Sequence, residues 1–229
     1  MQDGTAATQA VQWMGMRIWL AASLALLLGS LPVGARQEAP TAAVLAARVQ
    51  AHYTTVRDFT AEFTLTQTSA MLPKPVEERG DVKIKKPSRM RWAYSSSDKK
   101  QFVSDGTRLY SYFPQDRYVT TTALPKGNEV STALLFLAGR GDLTRDFSAS
   151  VPDQQPAGEW RLLLTPRAPE ADFKTLTLDV DRATLALRGF TVVDEQGGIS
   201  RFRFTNLREN RGLTDREFEF TMPKGVELR

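Results

Sequence analysis

From Phe59 onward the apolar residues recur at every second position. Phe59, Ala61, Phe63 and Leu65 fall on one side, and Thr60, Glu62, Thr64 and Thr66 on the other. That is the period of a half-buried strand. The same alternation marks strands over 76–85, 89–95, 100–104, 108–113 and 117–122, and again over 147–151, 160–165, 173–180, 185–193, 199–205 and 216–222. Turn signals separate them: Ser104-Asp-Gly-Thr107, the stretch Val180-Asp-Arg-Ala-Thr184, and Gly197-Gly198. Only two segments break the period. Leu45, Val49, Tyr53 and Val56 recur at helical spacing after Thr41, a residue suited to cap a helix starting near Ala42. Ser131 to Ala138 holds Leu134, Leu135, Phe136 and Leu137 in succession, apolar around more than one face. The pattern predicts a mainly β fold: a strongly curved antiparallel sheet, an incomplete β-barrel of about 11 strands, covered by short α-helices.

The N-terminus reads differently. Arg17 precedes an apolar run from Ile18 to Leu31, followed by Val33-Gly-Ala35, a small-residue cleavage signal. Residues 1–35 are therefore expected to be a secretory signal peptide, too short for a stable membrane anchor, with Met14 or Met16 as alternative starts. Residues 36–229 carry no evident linker and form one domain. The chain has no cysteine, which excludes disulfides, thiolate metal sites, cysteine nucleophiles and a lipidated N-terminus. Formal net charge is +4, and loss of Asp3 and Arg17 with the leader leaves it unchanged. A modest basic surplus suits anionic membranes or acidic partners. The cations are interspersed with carboxylates, so no nucleic-acid footprint is read.

Candidate chemistry is sparse. His52 is the only histidine and sits beside the apolar stripe of the first helix, which points to a partly exposed helix residue and not to a base or metal ligand. Glu77-Glu78 is an adjacent carboxylate pair; Asp179 and Asp181 share a strand face opposite Leu178 and Val180, which assigns them to solvent. Asp105 belongs to its turn. No cofactor, metal or catalytic group is implied. What stands out is apolar: Phe63, Met90, Trp92, Phe102, Leu109, Tyr110 and Tyr112. By composition these are either packed core or the lining of a cavity. Two short helices offer little material to cover so large a sheet, which favours a cavity beneath a lid.

The same residues carry a resemblance. Lys83-Ile-Lys-Lys-Pro87, Met90-Arg-Trp-Ala-Tyr94, Val103-Ser-Asp-Gly106 with Leu109-Tyr-Ser-Tyr112, Leu134-Leu-Phe-Leu-Ala-Gly139, Trp160 through Pro166 and the closing Phe218 to Gly225 stand in the order seen in the LolA family of periplasmic outer-membrane lipoprotein carriers. The resemblance covers nearly all of residues 36–229. It implies a soluble, monomeric periplasmic chaperone that shields lipoprotein acyl chains, takes cargo from an inner-membrane ABC-transporter complex and passes it to an outer-membrane receptor or acceptor. No bond is made or broken. It also implies a lipid-binding face of Phe63, Met90, Trp92, Phe102, Leu109 and Tyr112, closed by a lid of Tyr53, Leu134, Leu135 and Leu137. Lys86 stands where the family commonly has an arginine that bonds lid carbonyls, so it is the expected latch, with Arg89 or Arg91 as substitutes. Two alternatives remain: a lipid-sensing regulatory protein of the envelope with the same half-barrel, and an envelope lipid- or glycan-modifying enzyme.

Overall fold

The computed structural model describes residues 40–96, 98–124, 141–168 and 173–229. Thr41 begins helix α1 (Ala42–Thr55) by accepting the Val44 N–H on its hydroxyl at 3.4 Å. The helix buries the anticipated stripe, Leu45, Val49 and Tyr53, with Val56 just beyond it. Strands follow as β1 (Asp58–Thr68), β2 (Val76–Lys85), β3 (Arg89–Tyr94), β4 (Gln101–Asp105), β5 (Arg108–Phe113) and β6 (Tyr118–Ala123). After the short helix α2 (Leu143–Asp146) come β7 (Phe147–Ser150), β8 (Glu159–Pro166), β9 (Thr175–Asp181), β10 (Leu187–Val193) and β11 (Ile199–Glu209). A 3-10 turn at Asp215–Phe218 and β12 (Glu227–Leu228) end the chain.

All twelve strands belong to one curved, open sheet, in the order β12-β6-β5-β4-β3-β2-β1-β11-β10-β9-β8-β7. The strands predicted between residues 59 and 205 recur with small shifts at their ends. The turns are closed by aspartate side chains. Asp105 accepts the N–H groups of Thr107 and Arg108, Asp181 those of Ala183 and Thr184, and Asp194 those of Gln196 and Gly198. The inner face holds Phe59, Phe63, Leu65, Val82, Ile84, Met90, Trp92, Leu162, Leu164, Leu176, Leu178, Phe190 and Phe204, all buried in one apolar cluster with α1.

Residues 216–222, on the outer face, are not the strand expected there, and the otherwise antiparallel sheet ends on one parallel pair, β12 with β6. The C-terminal segment lies across β2–β6 as a strap. Lys83 meets Glu217 at 3.0 Å, while Lys85 and Arg89 meet Asp215 at 2.6 and 3.1 Å. Arg91 donates to the carbonyls of Glu217 and Glu219, which takes backbone acceptors a strand would need. Phe218 is fully buried, and Phe220 stacks on Tyr110 with ring centroids 5.1 Å apart. Asp179 is likewise not in solvent: it is 2 % exposed. Arg161 grips it with two donors at 2.7 and 3.0 Å, and Arg203 reaches it at 3.4 Å while holding Glu159. A charge-assisted fork compensates the burial that a lone aspartate would resist.

Candidate functional site

Strand register decides which side chains share the inner face. Phe63 lies opposite Gly80, Gly80 opposite Tyr94, Trp92 opposite Phe102, and Ser104 opposite Leu109. Gly80 is required here, since a Cβ would stand 2.1 Å from the Ala93 carbonyl and 2.8 Å from the Phe63 ring. Its absence of a side chain leaves room for that ring, which meets Trp92 at 5.1 Å and Tyr94 at 5.0 Å. Trp92 reaches Phe202 at 5.3 Å, Phe202 stacks on Phe190 at 4.5 Å, and Tyr94 passes contact to Phe102 at 5.8 Å and Phe102 to Phe113 at 6.1 Å. The result is a continuous aromatic surface from β10 to β5.

That surface is graded. Phe63, Met90 and Trp92 are 2, 8 and 7 % exposed and form its packed floor, whereas Phe102, Leu109, Phe113 and Tyr118 are half-buried toward the β6 edge. Five of the six anticipated lining residues thus share one face. Tyr112 does not. It pairs with Gln101 and Val119 on the outer face, where its ring lies 6.2 Å from Phe220 beneath the strap. Tyr94, Phe113, Phe190, Phe202 and Phe204 belong to the surface and were not among the anticipated lining residues, although Phe202-x-Phe204 shows the same alternation.

The first helix is fastened to the sheet at its last turn. Lys86, just past β2, donates its ammonium to the Tyr53 carbonyl and rests 3.6 Å over the centre of the Tyr53 ring. His52, in the same turn, meets Glu209 at the end of β11 at 3.1 Å. Lys86 therefore bonds a carbonyl of α1, the one belonging to Tyr53, a residue the resemblance assigns to the lid. Arg89 and Arg91 have no part in it, being on the outer face under the strap. Leu134, Leu135 and Leu137 lie outside the described residues. Burial lowers the Lys86 pKa to about 8, with Glu209 opposing. Burial also pushes up the Tyr53 hydroxyl, and lifts that of Tyr94 to about 12.

A consequence can be measured. A lysine whose folded pKa lies below its ordinary 10.5 binds fewer protons folded than unfolded, so stability rises with pH between about 8 and 10.5. Above about 10 the two buried tyrosines act oppositely, because they stay protonated only in the fold. Arginine does not titrate there and is more weakly hydrated, so Lys86→Arg is expected to clasp α1 more firmly, by ~1 kcal/mol, and to flatten the rise. Where the clasped form dominates, apparent affinity for an apolar ligand falls about fivefold. Thermal melts at pH 7 and 9.5 with ligand titrations of both proteins check this. Unchanged stability and affinity would make Lys86 an ordinary residue before a proline.

Among the described residues no three histidine, aspartate or glutamate side chains gather to hold a metal, and no helix is long and apolar enough to cross a membrane. An open, curved sheet with a continuous aromatic inner face, clasped by one helix, defines the class of half-barrel proteins. The sequence profile of the outer membrane lipoprotein carrier protein LolA matches residues 54–221, and the chain belongs to that family. An outer-membrane lipoprotein carrier protein of Vibrio campbellii is 29 % identical over 170 residues, 74 % of this chain and 78 % of its own length. That of Chromobacterium violaceum is 27 % identical over 202 residues, 88 % of this chain and 95 % of its own. Among solved structures, an uncharacterized conserved protein from Thermus thermophilus has the same fold, with a TM-score of 0.51 at 12 % identity over 80 % of this chain and 98 % of that one.

Proposed function

We propose that this protein is a lipoprotein carrier: it shields the acyl chains of lipoproteins and moves them across the periplasm from the inner to the outer membrane. The observation that carries the reading is the aromatic inner face, packed at Phe63, Met90 and Trp92 and half-open at Phe102 and Leu109, in a chain of the carrier family. Cargo is taken from an inner-membrane ABC-transporter complex and given to an outer-membrane acceptor. Residues 1–35 direct export and are removed, which puts the carrier in the periplasm. The protein acts by binding and catalyses no reaction.

Energetics give the lid its purpose. Each buried methylene contributes ~0.8 kcal/mol, so ten or so supply roughly 8 kcal/mol before ordering costs. A rigid open pocket of that affinity would release cargo slowly. If α1 and Leu134, Leu135 and Leu137 occupy the empty face, acyl chains must displace them, and net affinity falls enough for delivery.

Affinity capture from an envelope extract tests the reading. Acylated lipoproteins are expected to be retained and their non-acylated forms to pass through, with the captured carrier beginning near Arg36. Equal retention of both forms would contradict acyl recognition.

A further inference from the structure

The connection between β1 and β2, residues 69–75, reads Ser-Ala-Met-Leu-Pro-Lys-Pro. Met71 is 88 % exposed, Leu72 38 % and Val76 41 %, so three of the six exposed large apolar side chains among the described residues sit on one hairpin tip. Single exposed apolar residues are ordinary, but a group of them in one short projection is not. The pairing of β3 with β2 begins at Gly80 opposite Tyr94, and the Ser95 N–H just past β3 still donates to the Arg79 carbonyl at 2.8 Å. Val76 to Glu78, roughly 10 Å of strand, therefore extend beyond β3, while on the other side β11 accompanies β1 as far as Thr68 opposite Ile199.

The backbone of the tip separates one kind of partner from another. The Met71 N–H donates to the Ser69 hydroxyl at 3.3 Å, the Leu72 N–H donates to the Ser69 carbonyl at 3.1 Å, and Pro73 and Pro75 have no N–H. A protein partner that adds a strand needs a run of free main-chain donors, and this apex offers only isolated ones, those of Ala70 and Lys74 among them. A bilayer interface makes the opposite demand, apolar side chains with few unpaired N–H groups, and the apex meets it. Charge agrees. Lys74 is the only charged residue between Thr68 and Val76, and the carboxylates that follow are neutralised, Glu77 by Arg79 at 2.7 Å and Glu78 by Lys100 at 2.8 Å. The whole chain carries +4.

We propose that this hairpin tip docks the protein on anionic membranes, Met71 and Leu72 entering the interface and Lys74 lying among the lipid phosphates. Two side chains and one cation give a weak, reversible contact, suited to a protein that leaves the surface again. The inference goes beyond the carrier reading and does not depend on it, since the tip is separate from the aromatic inner face.

The test is flotation of the purified protein with vesicles of phosphatidylethanolamine and phosphatidylglycerol, beside vesicles of phosphatidylcholine alone. The native protein is expected to float with the anionic vesicles. Met71→Asp should lower the bound fraction about tenfold or more, and Lys74→Glu should lower it chiefly at low salt. The chain has no cysteine, so Met71→Cys can carry a single polarity-sensitive fluorophore, whose emission should shift blue on the same vesicles. Circular dichroism and apolar-dye binding of the Met71→Asp protein should match the native ones. Flotation unaffected by Met71→Asp overturns the proposal. So does sedimentation showing, without lipid, a native dimer that Met71→Asp dissociates, because the tip would then be a contact between copies.

Discussion

Phe102→Asp is expected to weaken binding of a fatty-acyl probe or apolar dye about a hundredfold while far-UV circular dichroism stays native. A phenylalanine contact with an apolar ligand contributes about 1.5–3 kcal/mol, and a carboxylate facing an acyl chain must in addition be desolvated. The fold tolerates the change because Phe102 is only half-buried, on the short strand β4, where an aspartate can still reach water. Leu109→Asp, opposite Ser104 on the same face, should behave alike. Tyr112→Asp is the control. Its ring is on the outer face against Phe220, so it should loosen the strap and leave ligand affinity nearly unchanged. Full-strength binding by the Phe102→Asp protein would remove the β4 end of the inner face from the site.

Trp92→Ala is expected to act on stability first. Its indole is 7 % exposed and touches the rings of Phe63, Phe202 and Phe204, with centroids 5.1, 5.3 and 6.2 Å away. Truncating such a residue leaves a cavity that rigid neighbouring strands cannot close, at a cost of about 3–5 kcal/mol. Denaturant unfolding should show a loss of that size with an unchanged slope. A charged residue at the same position would unfold the domain, so ligand loss in such a variant would say nothing about the site. A cost below about 1 kcal/mol would mean that the floor is loosely packed.

The strands and the first helix were legible because each has one buried face. Period-two alternation in Phe59 to Leu65, and helical spacing in Leu45 to Tyr53, survive only when one side is covered and the other wet. Where both faces are covered the signal fails. Arg108–Phe113 places Leu109 and Phe113 on the inner face and Tyr110 and Tyr112 under the strap, so its apolar residues show no preferred side. The sequence reading put Tyr112 with Trp92 for this reason. The register that separates them depends on the turn after β4, which sets Ser104 opposite Leu109.

Long-range partners were equally hidden. Asp179 looks solvent-facing by alternation, yet Arg161 and Arg203 from the two flanking sides close over it. The strap was read as a strand because Arg216 to Met222 has a strand-like pattern; nothing local reveals that Lys83, Lys85, Arg89 and Arg91 attract it in another form. Lys86 was placed as a latch by resemblance, and its contact with the Tyr53 carbonyl needed the fold.

The most direct measurement mixes the purified protein with inner-membrane vesicles containing one lipoprotein in its acylated form, in parallel with vesicles holding the same polypeptide fused to a transmembrane helix in place of the acyl chains. After the vesicles are sedimented, the supernatant is resolved by size and mass. The account predicts a soluble one-to-one complex of carrier with the acylated lipoprotein, absent for the helix-anchored form and lost with Phe102→Asp. Release of both forms, or of neither when the transporter complex and ATP are supplied, would contradict it.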